Sequence, residues 1–211
     1  MSSYSYKVTR LHEAVQRAEI NYEVAKVVAR KQGTAEPVRH KCFIAYHGAD
    51  IDGVTSFVED FNQVFIPRVV GVSDSDQFKD PVDSKDEEYI KAQIGSKYLS
   101  DSTVTILYVG SCTWSRKYVD WEISSSLRDG SVNKRNGLLG ITPPDRSKNR
   151  LPDRFSDNID SGGNGYAQYY YYPTSEESLR NWIDDAFNSR DSKVGLIDNS
   201  RRLRRVDTRC P

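Results

Sequence analysis

Glu122 is the side chain of this sequence best placed to do chemistry. It stands about two turns into a predicted helix that follows a buried apolar strand (103–110) and a polar Gly-Ser turn. The buried stripe of that helix runs at four-residue spacing from Val119 to Leu127. At about 100° per residue, Glu122 falls at the border of this stripe, one turn after Tyr118. A carboxylate there is half desolvated, which raises its pKa and indicates a ligand site, whereas the alternative is an ordinary surface glutamate.

A second candidate loop closes an earlier strand, 41–47, which ends in Tyr46 and His47. In the flavodoxin-like strand order 2-1-3-4-5, the first and third strands are neighbours, and ligands bind beyond their carboxyl ends. This order would bring Tyr46 and His47 beside Ser111, which follows the third strand, and beside Glu122. His47 is either a substrate contact or a hydrogen-bonded structural residue, and its position at a strand end favours the contact.

Five strands alternate with helices along the chain, which predicts an α/β fold with a parallel sheet and right-handed crossovers. We predict strands at 41–47, 68–72, 103–110, 137–142 and 167–172, and helices at 8–32, 50–65, 86–99, 115–128 and 174–187. The last helix carries a Thr174-x-x-Glu177 capping box. The fold class is therefore a flavodoxin-like three-layer fold with a five-stranded parallel sheet, preceded by an N-terminal helix.

The segments outside the sheet divide the chain into three parts. We predict an N-terminal helical extension (1–39), the sheet domain (40–190) and a mobile basic tail (191–211). The extension has an apolar stripe that must pack on its own domain or on another copy: Leu11, Val15, Ala18, Tyr22, Ala25 and Ala29. Two polar stretches, 73–85 and 143–165, are predicted to be irregular loops. Trp121 points away from the buried stripe of its helix, so we expect the N-terminal helix or the 143–165 loop to cover it.

Composition excludes several classes of function. Thirty basic and thirty acidic residues cancel, so no global field attracts nucleic acid or an anionic membrane. The three cysteines have no metal-ligand spacing and are odd in number, which predicts neither a metal site nor a disulfide framework. The sequence has no signal-peptide pattern and no apolar run of transmembrane length. We therefore expect a soluble globular protein of the reducing cytoplasm.

Three ordered segments resemble the bacterial TIR-like domains of the Thoeris anti-phage system, within about residues 40–190: FIAYHGAD (43–50), YIKAQIGSKYLSDSTVTILYVGSCTWSRKYVDWEI (89–123) and GLLGIT (137–142). The most specific part is the strand ending in Gly-Ser, followed by Ser115, Tyr118 and Glu122. TIR NADases usually have a tryptophan four residues before the glutamate, where this chain has Tyr118. Here Trp121 directly precedes the acid, and Val119 replaces a cysteine that often follows the family's tryptophan. The resemblance implies that Glu122 is the catalytic glutamate of an NAD glycohydrolase or ADP-ribosyl cyclase.

The implied reaction suits a single carboxylate. In NAD the nicotinamide leaving group is already cationic, so no general acid is needed, whereas most glycoside hydrolases need two carboxylates. Glu122 would hold the ribose hydroxyls and stabilise the oxocarbenium-like charge that develops. NAD is thus the substrate, and neither a cofactor nor a metal is expected.

The resemblance also implies that Tyr46, His47 and Asp50 belong to the first loop of the nucleotide pocket. From position and chemistry we add four further substrate-binding candidates: Ser111, Trp114, Ser115 and Tyr118. The aromatic rings of Tyr46, Trp114 and Tyr118 would stack on nicotinamide or adenine. The alternative is that two of these three rings belong to the core. The helix N-terminus near Ser115 would offer backbone N–H groups to the diphosphate, assisted by Arg116 or Lys117.

The resemblance further implies a signalling role. We expect a cyclised or otherwise conjugated ADP-ribose product that is read by a separate effector protein. Because constant NAD loss would harm the cell, we expect weak activity until a homo-oligomer forms or a phage-derived activator acts.

Two other functions stay open at this point. A nucleoside deoxyribosyltransferase also cuts an N-glycosidic bond with one glutamate on a related fold. A non-catalytic TIR-like scaffold would signal by assembly alone.

Overall fold

The computed structural model describes residues 3–69, 89, 99–130, 134–145, 149–160 and 162–210. Its helices are α1 (Ser3–Gln32), α2 (Ile51–Asp60), α3 (Lys117–Ser126), α4 (Asp153–Ser156) and α5 (Glu176–Ser192). Its strands are β1 (Lys41–Ala45), β2 (Ile66–Val69), β3 (Val104–Tyr108), β4 (Gly137–Ile141) and β5 (Gln168–Tyr170). The predicted 73–85 loop lies outside the described residues, as does the predicted 86–99 helix apart from Tyr89 and Leu99.

The five strands form one parallel sheet in the order β2-β1-β3-β4-β5. This confirms the predicted fold class and strand order. β2 begins earlier than predicted, at Ile66. Pro67 therefore lies within the strand, opposite Cys42 of β1. β2 is an edge strand, where a residue without an N–H donor is tolerated.

Alternate residues of the strands face two separate cores, as a sheet with helices on both faces requires. Cys42 and Ile44 of β1 face the core formed with α1, α2 and α5. Phe43 and Ala45 face the core formed with α3 and α4. The carboxyl ends of β1 and β3 are thereby held at the same edge, between the two helical layers.

Helix α1 packs on its own domain. Its predicted stripe is buried at Leu11, Val15, Ala18 and Ala29, and the first two of these belong to the core with α2. Charged contacts fix the start of the helix, since Lys7 Nζ lies 2.6 Å from the Asp52 carboxylate at the beginning of α2. The apolar stripe therefore has an intramolecular partner.

The cap of α5 differs from the predicted capping box. The N-cap is Ser175, whose hydroxyl accepts the Ser178 backbone N–H at 3.1 Å. Thr174 lies one residue outside the helix. The capping box at Thr174 and Glu177 is therefore wrong by one position, because serine at the next residue provides the same hydroxyl in the right place.

This cap gives a direct test of the helix start. Ser175→Ala should destabilise the chain by about 0.5–2 kcal/mol, because the Ser178 N–H loses its acceptor. Thr174→Ala should change the free energy of unfolding little. Urea denaturation of both variants measures the difference, and an equal loss at the two positions would contradict the cap.

The 143–165 segment is not a surface loop throughout. It contains α4, in which Arg154 and Phe155 are both 0% exposed, and Asn158 lies just after it at 1%. Ile159 then pairs in parallel with Ala167 before β5. The prediction of an irregular surface loop is wrong there, because isolated apolar and charged residues fold inward without a periodic signal.

Candidate active site

The turn between β3 and α3 is built by hydroxyl groups. The Thr113 hydroxyl accepts the Gly110 N–H at 2.9 Å, and the Ser115 hydroxyl donates to the Cys112 carbonyl at 2.7 Å. A 3-10 turn, Thr113–Ser115, then leads into α3. The short polar side chains that looked like a simple turn thus fix the direction in which α3 leaves the sheet.

Glu122 lies on α3 at the carboxyl edge of the sheet, partly buried. Burial raises its pKa from an ordinary 4.5 to about 8. Tyr46, at the end of β1, is close enough for the Glu122 charge to raise the tyrosine pKa, after burial and Tyr4. The predicted partial burial and raised pKa of Glu122 are confirmed. Tyr46 is an aromatic residue whose own pKa is raised by burial and Tyr4 and, in part, by the Glu122 charge.

The raised pKa predicts a pH-dependent stability. The folded chain keeps the Glu122 proton between pH 4.5 and about 8, whereas the unfolded chain releases it. The contribution of Glu122 to the free energy of unfolding is therefore fully present below pH 4.5 and is lost as pH rises through about 8. Between these values the free energy of unfolding falls by about 1 kcal/mol per pH unit. Glu122→Gln should remove that part of the slope in urea melts across this range. An identical slope in both proteins would contradict the raised pKa.

Asp50 joins the two strand-end loops. Its carboxylate lies 3.4 Å from the Thr113 hydroxyl and so close to Gly110 that a Cβ there would overlap it. The Asp50 charge also contributes, after burial, to the raised pKa of Tyr108. These contacts support a positioning role for Asp50, while substrate binding by it stays a prediction.

The requirement for glycine at position 110 can therefore be tested. Gly110→Ala should destabilise the chain by about 1–3 kcal/mol, because the new methyl group must displace the Asp50 carboxylate. Gly195→Ala is the matched control, since a Cβ there meets no atom within 4 Å. Thermal denaturation of both variants makes the comparison, and equal stabilities would contradict the close packing.

His47 lies half-buried in the loop that leads to Asp50, near one charged residue at the N-cap of α3 and another in the C-terminal segment. Burial and the Arg116 charge lower its pKa, and the Asp207 charge opposes them. At the N-terminus, the Tyr4 hydroxyl lies 3.8 Å from the position that a Cβ of Gly48 would take. Residues from both ends of the chain thus border the loop that follows β1.

The remaining predicted contacts lie on α3, in the turn before it or just after β3. Tyr118 packs edge-to-face on Trp121, with ring centroids 5.3 Å apart. Trp114 is stacked by the Arg150 guanidinium at 3.7 Å. Ser115 is buried, whereas Ser111 is exposed. The structure therefore places Tyr46 near Glu122 and His47 and Asp50 in the loop that follows Tyr46, and the substrate contacts of all seven residues stay predictions.

A cavity of about 270 Å³ lies on another side of α3. Its lining residues are Trp114, Asp120, Pro152, Asp153, Arg201, Arg202 and Arg204. Asp120 and Glu122 project about 200° apart around the helix, so this cavity is separate from the Glu122 site. Glu122 is the stronger candidate for chemistry, because it stands at the switch point of the sheet and carries the shifted pKa.

A buried ion pair holds the outer side of α3. Arg154 Nε lies 2.9 Å from the Asp120 carboxylate, and its other nitrogens donate to the Asn199 side chain and the Arg201 and Arg202 carbonyls. Asp120 also accepts the Arg204 backbone N–H at 2.9 Å. Sequence reasoning missed this network, because a single arginine in a polar stretch carries no periodic signal.

The C-terminal segment is packed against α3 and does not form a free tail. Leu203 is 3% exposed, and the Trp121 indole N–H donates to the Arg204 carbonyl at 2.7 Å. Trp121 is therefore covered, as expected, and the C-terminal segment takes part in the cover alongside Phe155 of the 143–165 segment, which lies in the same core. The expectation of a mobile tail is wrong, because Arg154 binds its backbone carbonyls and Leu203 enters the core.

Cys112 and Cys210 form a disulfide, with Cα atoms 5.6 Å apart. The prediction of no disulfide framework missed this pair. The two cysteines are separated by 98 positions, so only the return of the C-terminal segment to the β3–α3 turn brings them together. Cys42 is free and buried in β1.

The sheet order, the carboxylate on the helix after the third strand and the facing β1 loop define a TIR-like domain. The family described as Thoeris protein ThsB, TIR-like domain, matches residues 43–148. The chain belongs to this family, which confirms the resemblance seen in the sequence. The match begins within β1 and contains β3 and α3, whereas α1, β5, α5 and the C-terminal segment lie outside it.

A search of curated proteins gave no match to this chain. Among the helices that the structure describes, none has both the length and the apolar character needed to span a membrane.

Proposed function

We propose that this chain is an NAD-cleaving TIR-like enzyme that makes a cyclic, ADP-ribose-derived signal in anti-phage defence. The observation that carries the proposal is the partly buried Glu122, whose pKa is raised to about 8, at the switch point beside Tyr46. Membership of the Thoeris TIR-like family supports the defence role.

The charge of the substrate would complete the site. The nicotinamide ring of NAD is cationic, and an adjacent positive charge favours the ionised form of a carboxyl group. Binding of NAD would therefore lower the pKa of Glu122 and leave a carboxylate beneath the ribose. A desolvated carboxylate interacts more strongly with developing positive charge than one in water.

The proposed reaction breaks the bond between the ribose C1′ and the nicotinamide nitrogen. Both bonding electrons leave with the nitrogen, so nicotinamide departs as a neutral molecule and the ribose carries the oxocarbenium charge. Water attacking C1′ gives ADP-ribose and a proton, whereas an adenine nitrogen of the same molecule gives a cyclic product. The nucleophile that reaches C1′ therefore decides the product.

Incubating the purified chain with NAD and measuring nicotinamide release tests the enzymatic step. Turnover of deoxynucleosides in its place would favour a deoxyribosyltransferase. Absence of turnover in every state, including the assembled one, would favour a signalling scaffold.

Mass spectrometry of small molecules from cells expressing the chain, with and without phage, tests the signalling step. We expect a new ADP-ribose species in infected cells, for a separate effector protein to read. An infected culture with intact Glu122 and no such species would contradict the signalling proposal. The same cells would show whether a homo-oligomer or a phage-derived activator accompanies activity.

A further inference from the structure

Residues 206–210, here called the C-terminal strap, lie across the start of α3. The Asp207 carboxylate accepts the Lys117 backbone N–H at 2.8 Å and lies 3.3 Å from Arg116. The residue at the N-cap position of α3, Arg116, makes no side-chain cap of its own. An acidic side chain from the other end of the chain thus occupies the positive end of the helix that carries Glu122.

Two further links hold the strap in place. The Thr208 N–H donates to the Ser115 carbonyl at 2.9 Å, and Cys210 is joined to Cys112 by the disulfide. The strap itself buries little surface, since Val206 is 70% exposed. Polar contacts and one covalent bond therefore hold the strap, and its release would leave both hydrophobic cores intact.

The strap borders the candidate active site. The Asp207 and Arg116 charges both act on His47, which lies at the end of β1 beside Tyr46. The backbone N–H groups at the start of α3 are those that an anionic diphosphate would use. The Arg116 Nε atom is buried without a hydrogen-bond acceptor among the described residues, so the Asp207 carboxylate does not satisfy this cationic group fully.

We propose that the C-terminal strap is an autoinhibitory contact in which Asp207 occupies the place of the substrate's diphosphate and the Cys112–Cys210 disulfide keeps it there. The inference rests on the proposed function and concerns the regulation of that site. Release uses a dithiol reductant: the disulfide gains two electrons and two protons, the dithiol becomes a disulfide, and both cysteines become thiols. The freed strap can then exchange with the dinucleotide.

Binding of an uncleavable NAD analogue tests the strap without turnover. The probe is carba-NAD, in which a methylene group replaces the ring oxygen of the nicotinamide ribose, and calorimetry measures its affinity. Cys210→Ser and Asp207→Asn should each bind it more tightly than the parent chain. The gain is about tenfold if the strap covers the site nine-tenths of the time.

Matched controls separate the strap from a general charge effect. Asp191→Asn removes an exposed carboxylate of α5 and should leave the affinity unchanged. Dithiothreitol should raise the affinity of the parent chain and have no effect on Cys210→Ser. Thermal melts show whether each variant is folded. If Cys210→Ser does not fold, Asp207→Asn, which keeps the disulfide, still tests the strap.

The outcomes distinguish this inference from the proposed function. Unchanged or weaker binding by both folded variants overturns the autoinhibitory strap alone, and weaker binding would identify Asp207 as a helix cap that supports the site. No binding by any variant, reduced or oxidised, overturns the proposed function and the strap with it.

Discussion

Glu122→Gln is expected to abolish nicotinamide release from NAD, with a loss of about a hundredfold or more. Glutamine keeps the size and much of the hydrogen bonding of glutamate but cannot carry the negative charge that stabilises an oxocarbenium ion. The fold should persist, because the amide enters a partly buried position where the native acid is itself protonated up to about pH 8. Release of nicotinamide, followed by chromatography, is the measurement.

The control for this variant is Glu177→Gln, which changes an exposed glutamate of α5 in the same way. It should retain the activity of the native chain. Substantial turnover by well-folded Glu122→Gln would remove Glu122 from the catalytic role. Loss of activity in both variants would show that the assay, not the site, is responsible.

Arg154→Ala is expected to have the largest effect on stability, about 3–5 kcal/mol. Its guanidinium is 0% exposed and pairs with Asp120, so truncation leaves a buried carboxylate with the Arg204 N–H as its remaining partner among the described residues. The carbonyls of Arg201 and Arg202 lose their donor in the same step. Urea denaturation gives the change in the free energy of unfolding.

Arg17→Ala is a suitable control, because it removes an exposed arginine from α1. A double variant, Asp120→Ala with Arg154→Ala, should cost less than the sum of the single changes, since it leaves no unpaired charge. Additive losses, or a loss at Arg154 no larger than at Arg17, would show that the ion pair does not hold the C-terminal segment on α3.

The sequence was sufficient for the features that depend on local patterns. Apolar runs such as 103–110 and 137–142 predict buried parallel strands, and their alternation with helices predicts the sheet order. The position of Glu122 followed from helical geometry, because Val119 and its neighbours define the buried side of α3. These inferences need only spacing and residue type.

The surroundings of the site depend on contacts between distant residues, which spacing does not reveal. The C-terminal segment has no apolar periodicity and is held by Leu203, by hydrogen bonds to its backbone and to Asp207, and by the disulfide. The partner of Cys112 becomes apparent only when 98 positions of chain have folded back. Trp121 was expected to be covered, and part of its cover comes from this same returning segment.

The residues that border the Glu122 site come from different parts of the sequence. Glu122 and Tyr46 lie within the part that matches the family, whereas Tyr4 and Asp207 lie near the two ends of the chain. Lengthening, shortening or replacing either end can therefore alter access to the site without moving the strands and helix that hold the carboxylate. On the proposed function, reactivity and its control would be encoded in separate stretches of the chain, so that evolution or protein engineering could adjust one while preserving the other.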